Sequence, residues 1–252
     1  MDFSVVVAAA GLGKRMNSHL PKALIQVGDK TLIEIVLNNF HAKASKIIFV
    51  INESQESVFR LMLPADLLEK SIFVNQPTPT GTFDAALLGL NQSESPLTFI
   101  LWGDHIGASI MPVEKLLQNV TLTKADILIP IIRKNDPYVY FELDKDMKVT
   151  AFHETKYGSP RIANGYSDAG VFLVRTNEVR RWFSHLLITR DGTELNLLAV
   201  FPSKHSRNLD VKVVEFKNVL LTLGANTPDE LSRAWSQLQN APIAQFEECS
   251  PE

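Results

Sequence analysis

Several short clusters in this chain place glycine and charge where apolar runs end. The first is Ala8-Ala9-Ala10-Gly11-Leu12-Gly13-Lys14-Arg15-Met16, followed by Pro21-Lys22. Glycines let a backbone turn tightly and aim several N–H groups at one anion. Arg15 adds a planar fork suited to phosphate oxygens, and Lys22, held by Pro21, adds a second cation. A strand-to-helix turn with solvated basic residues would be the better reading of a bare Gly-x-Gly; Arg15 and the Pro-Lys pair move the reading to a phosphate loop. Met16 stands where a dinucleotide fingerprint needs its third glycine, and Gly13-Lys14 lacks the following hydroxyl of a Walker loop.

A second cluster, Asn75-Gln76-Pro77-Thr78-Pro79-Thr80-Gly81-Thr82, is a proline-rich turn in which Gly81 lets the backbone approach a flat ligand. The Gln76 amide offers the donor and acceptor that reading a base edge requires. Taken alone, a plain surface turn with a cap at Thr82 explains it as well. In the third cluster, Phe99-Ile100-Leu101-Trp102-Gly103-Asp104-His105, an acid just past an apolar strand is placed to hold Mg²⁺ against a triphosphate. Here too a lone Asp starting a turn is the commoner case, and its company matters: Gly224-Ala225-Asn226-Thr227 precedes a capped helix. His105 reads as a hydrogen-bonded structural histidine. His19, His41, His153, His185 and His205 show no ligand spacing, so a zinc site is not expected.

The elements that must position these clusters alternate between strand and helix. Apolar runs at Val5–Ala9, Lys46–Ile51, Ser71–Asn75, Leu97–Trp102, Asp126–Ile132 and Val211–Phe216 read as buried strands. Helices are expected over Thr31–Ala42, Thr82–Leu90 and Pro112–Val120, and Thr31-Leu32-Ile33-Glu34 and Thr227-Pro228-Asp229-Glu230 read as capping boxes. Asp144-Lys145-Asp146 between Tyr138–Leu143 and Lys148–His153 suggests a hairpin. Thr155–Ser167 reads as a loop. The expectation is an α/β fold with a mixed, mostly parallel central sheet flanked by helices. It forms one domain over residues 1–240, with a tail over 241–252.

Composition narrows the function classes. The 252 residues are 45% hydrophobic and 21% charged, with net charge −3, so nothing global points to nucleic acid or an anionic membrane. Cys249 is the single cysteine, which excludes a disulfide framework and a thiolate cluster and favours a cytoplasmic setting. Val5–Ala10 is short for a signal segment and follows Asp2 rather than a basic residue, so it reads as a strand.

The chain resembles the nucleotidyltransferases that act on sugar 1-phosphates. Ala9-Ala10-Gly11-Leu12-Gly13-Lys14-Arg15-Met16 with Leu20-Pro21-Lys22 carries the likeness, and the short spacing from Arg15 to Pro21 is most similar to the bacterial N-acetylglucosamine-1-phosphate uridylyltransferases. The likeness runs from about Phe3 to Gln239 with its motifs in order. It implies a Rossmann-like, GT-A-like fold. It also implies nucleotide binding by Ala9, Ala10, Gly11, Gly13, Lys14, Arg15, Gln76, Gly81 and Thr82, and Mg²⁺ on Asp104 and Asn226. Arg15, Lys22 and Asp104 would be the catalytic residues, and the sugar phosphate would meet Gly103, Glu154, Lys156, Asp168 and Glu194. Within that pattern Asp168-Ala169-Gly170 carries an acid where the family has an amide. The resemblance implies a nucleoside triphosphate, UTP foremost, and a sugar 1-phosphate as substrates. Two other readings stand beside it: a cytidylyltransferase acting on a polyol phosphate or phosphocholine, and a nucleotide-binding sensor without catalysis.

Overall fold

The computed structural model describes residues 1–11, 13–78, 80–188, 195–202 and 209–241. The strands are β1 (Phe3–Ala8), β2 (Gln26–Val27), β3 (Lys30–Thr31), β4 (Lys46–Ile51), β5 (Ser71–Asn75), β6 (Leu97–Trp102), β7 (Ile127–Asn135), β8 (Val139–Leu143), β9 (Val149–Glu154), β10 (Asn164–Asp168), β11 (Val171–Arg175) and β12 (Val211–Phe216). The helices are α1 (Leu32–Val36), α2 (Glu56–Met62), α3 (Ala65–Glu69), α4 (Thr82–Leu90), α5 (Val113–Thr123), α6 (Thr176–Ile188) and α7 (Pro228–Gln239).

Ten strands form one mixed sheet in the order β5-β4-β1-β6-β11-β7-β10-β8-β9, with β12 paired to β7. Seven of them run one way, and β9, β10 and β11 run the other. The apolar runs are continuous because both faces of the sheet are covered. Along β1, Val5 and Val7 pack into one core with Leu116, Phe59 and Leu231 from the helices on that side. Val6 points the other way, to Phe83 and Leu87 of α4 and Phe183 of α6. The same alternation runs along β4 and β6, where Phe49 and Phe99 face the first core while Ile48 and Ile100 face the second.

The expected strands and the hairpin of β8 and β9 are present, and β1 is a buried strand. Three local expectations change. The helix expected over Thr31–Ala42 is regular only to Val36 and continues as turns, because Asn38 and Asn39 favour leaving a helix. Thr155–Ser167 is not a loop throughout: Asn164–Asp168 forms β10, held by backbone pairing to β7 rather than by apolar alternation. Thr31 and Glu34 make a full capping box, but at α7 only half of one forms. Thr227 accepts from the Glu230 N–H at 3.2 Å, while Glu230 reaches past the cap to the Asn226 N–H at 2.7 Å. The tail 242–252, with Cys249, lies outside the described residues.

Candidate active site

The loops that follow β1, β5 and β6 leave the same edge of the sheet, since these strands are parallel. In open α/β sheets that edge is where ligands bind. A cleft of about 610 Å³ opens there, lined by Ala9, Ala10, Gly11, Lys22, Gln76, Gly81, Thr82, Gly103, Asp104, Glu154, Asp168 and Asn226 among others.

Its middle is a knot of charge. The Lys22 ammonium sits 2.5 Å from Asp104 Oδ2 and donates to Asn226 Oδ1 at 3.2 Å. Arg15 Nη2 donates to the same Asn226 oxygen at 3.2 Å. Residues 211 positions apart in sequence thus meet because a loop after β1, the end of β6 and the turn before α7 share one edge. Gly13 makes this possible. Its φ of +56° suits glycine, and a Cβ there would lie 3.1 Å from Lys22 Cβ, so the loop folds against the lysine backbone. Glu230 holds the Asn226 backbone from behind.

Asp104 Oδ2 and Asn226 Oδ1 converge on one positive charge, so the same two oxygens can share a metal cation. Oxygen donors of this kind suit Mg²⁺, which keeps several waters and takes phosphate oxygens. Among the described residues no group of three or more His, Cys, Asp or Glu could hold a metal by itself.

On the β5 side, Gln76 is almost fully buried. Its amide donates to Gly81 O at 3.2 Å, so the side chain both lines the cleft and closes the turn it belongs to. The Thr82 hydroxyl accepts from the Leu197 N–H at 2.9 Å and faces Asn196 Oδ1 at 3.4 Å. Asn196 then donates to Glu154 Oε2 at 3.2 Å, tying this turn to Glu154.

Glu154 and Asp168 are both buried and both line the cleft. Burial pushes the Asp168 carboxyl up from the ordinary carboxylate value, opposed by His105 and by backbone N–H groups. His105 lies beneath: its Nε2 is 2.8 Å from Leu221 O, a donor to a backbone carbonyl, which makes it the structural histidine expected. Its ring fits only because Gly170, at φ +65°, has no Cβ; one would lie 2.4 Å from the ring.

Most of the expected residues therefore meet in one cleft, and some do not. Lys156 turns away: it pairs with Glu154 at 3.3 Å, lies 4.4 Å from the Tyr157 ring, and is largely exposed. Glu194 lies outside the described residues. Lys134, Tyr138, Asn196 and Glu230 also line the cleft. Lys134 and Tyr138 are isolated polar residues at strand ends, with no motif to mark them; Glu230 was read as a cap.

A parallel sheet edge with a glycine-marked basic loop and an acid–amide pair fits the nucleotidyltransferase class. The family model for the MobA-like NTP transferase domain matches residues 5–183, and the chain belongs to that family. A curated relative, the bifunctional protein GlmU of Buchnera aphidicola subsp. Schizaphis graminum, is 27% identical over 236 residues, covering 92% of this chain and 50% of the relative. The chain thus spans about half the length of the curated relatives it matches. Among solved structures, a putative glucose-1-phosphate thymidylyltransferase from Bacillus anthracis superposes with a TM-score of 0.73 at 15% identity, covering 97% of this chain and 99% of its own. The inositol-1-phosphate CTP transferase from T. maritima superposes at 0.70 with 19% identity, covering 96% and 97%. These two likenesses are of fold. Among the described residues no helix is long and apolar enough to cross a membrane.

Proposed function

We propose that the chain transfers a nucleotidyl group from a nucleoside triphosphate, UTP foremost, to a sugar 1-phosphate, with Mg²⁺ and release of pyrophosphate. The observation that carries this reading is the meeting of Lys22, Asp104 and Asn226 in one cleft, with Arg15 bonded to Asn226 and with Gln76, Glu154 and Asp168 in the same lining. The Gln76 amide and the Gly81 turn offer chemistry for a base, and Glu154 and Asp168 offer carboxylates for an acceptor. The solved neighbours carry different nucleotides and acceptors in their names, so UTP rests on the loop spacing from Arg15 to Pro21.

The acceptor's phosphate oxygen attacks the α-phosphorus in line; the new P–O bond forms as the bond to the β-phosphate oxygen breaks, and pyrophosphate leaves with the electron pair. The attacking oxygen is already an anion, so no general base is needed, and catalysis is positioning plus charge neutralisation. The Gly11–Gly13 backbone and Arg15 hold the departing pyrophosphate. Lys22, released from Asp104 by the incoming charges, neutralises the α-phosphate. Asp104 and Asn226 would hold Mg²⁺, which would supply positive charge against the charge that develops on the phosphates. A sensor that only binds nucleotide has no use for this pairing of lysine with an acid and an amide.

The test is to follow labelled phosphorus. With α-labelled triphosphate the label should enter a nucleotide–acceptor product, and with γ-label it should leave as pyrophosphate. A γ-label found on the acceptor would mean phosphoryl transfer and would overturn the reading.

A further inference from the structure

Asp168 is a carboxylate that the fold buries and leaves without a counter-ion. It is 9% exposed, and one oxygen accepts the Gly170 N–H at 2.8 Å. Among the described residues it forms no ion pair with His105 or Lys134, the two basic side chains whose charge it feels. It lines the same cleft as Glu154, Tyr138 and Trp102. The other cations are occupied: Lys22 is on Asp104 and Asn226, and Lys156 is on Glu154. Burial first, and then the charges of Asp168, Glu154 and Asp104, hold the Tyr138 hydroxyl above its usual range, opposed by Lys156.

A buried carboxylate is tolerated when something neutralises it, and a buried ion left without a partner is costly. An acceptor hydroxyl would satisfy one lone pair and leave the charge; an ammonium would satisfy both. The Trp102 and Tyr138 rings in the same lining favour the same partner, since aromatic faces attract ammonium groups. We propose that the acceptor is a phosphate compound bearing an ammonium group, received by Asp168 in the cleft that Trp102 and Tyr138 also line. This rests on the nucleotidyl-transfer reading and narrows it. Two sources share the chemistry, an aminosugar 1-phosphate with a free amine and an alkylammonium phosphate.

Calorimetry on the full chain tests this, with Mg²⁺ and the α,β-methylene analogue of whichever triphosphate binds tightest. Two matched pairs separate the sources: glucosamine 1-phosphate against glucose 1-phosphate, and phosphocholine against its uncharged isostere 3,3-dimethylbutyl phosphate. In one pair the ammonium member should bind about tenfold tighter or more, and Asp168→Asn, folded by its melting curve and still binding the analogue, should bring the two within about twofold. The inference is overturned if the neutral member binds as tightly in both pairs, if the preference survives in Asp168→Asn, or if no acceptor binds while the analogue does. These results leave nucleotidyl transfer to other acceptors standing. Failure of every triphosphate analogue to bind strikes the transfer reading itself, and this inference with it. The wild-type comparison decides the matter even if the variant does not fold.

Discussion

Lys22 joins the nucleotide loop to the acid past β6, and its side chain is only 14% exposed while Asp104 is 37% exposed. Removing the lysine leaves an acid that water can reach, so the stability cost should be small, about 1 kcal/mol or less. The cost to catalysis should be large, since removing one preorganised charge donor costs about 10²–10³ in kcat. Lys22→Ala is therefore expected to lose kcat by that factor with a melting temperature close to wild type; equal losses of both would assign Lys22 a structural role. Asp168 should behave in the opposite way. Its folded pKa is raised, so between the unfolded carboxylate value of about 4 and the folded value the native state holds more protons. Stability then falls as pH rises through that window, and the penalty is complete above it. Asp168→Asn should raise the melting temperature at neutral and alkaline pH and leave it unchanged below about pH 4, read from melting curves across pH. Arg15, Lys22, Asp104 and Asn226 were legible in the sequence because each sits in a short glycine-marked motif. Lys134 and Tyr138 were not, because a single polar residue at a strand end carries no signature until the sheet closes around the ligand side.

At the scale of elements, the turn before α7 positions Asn226 through Glu230. Groups that orient a metal ligand typically matter about 10–100-fold for metal affinity. Glu230→Ala is expected to raise the Mg²⁺ concentration for half-maximal rate by about that factor, while Thr227→Ala should cost about 1 kcal/mol of stability as a lost cap and leave the Mg²⁺ requirement nearly unchanged. The strand end at Gly170 makes a second element-scale prediction. Gly170→Ala combines a left-handed φ with a Cβ 2.4 Å from the His105 ring. It should destabilise by about 1–3 kcal/mol, part of which returns in the double variant with His105→Ala because the clash is gone. A thermal-shift cycle over the four proteins reads this; strict additivity would contradict the packing account. Element boundaries were legible where apolar runs are continuous, as in β1, β4 and β6, buried on both faces. They were not legible at β10, whose Asn-Gly-Tyr-Ser-Asp sequence has no strand pattern and owes its form to hydrogen bonds with β7.

Across the whole molecule, the parallel strands β1, β5 and β6 bring Ala9, Gln76 and Asp104 to the cleft, and strands β8 to β10 bring Tyr138, Glu154 and Asp168 to it. Fold class was readable because strand and helix patterns alternate; the acceptor residues were read only by likeness, since they come from distant segments with no shared spacing. The central claim is tested most directly by pyrophosphate release with Mg²⁺, crossing UTP, CTP, dTTP, ATP and GTP with neutral and amine-bearing phosphate acceptors, with Asp104→Asn as control. The account predicts release that needs both a triphosphate and an acceptor, stops on chelation, and is nearly lost in Asp104→Asn. Silence across the matrix from folded protein that still binds a nucleotide would contradict it and leave a binding protein on a transferase fold.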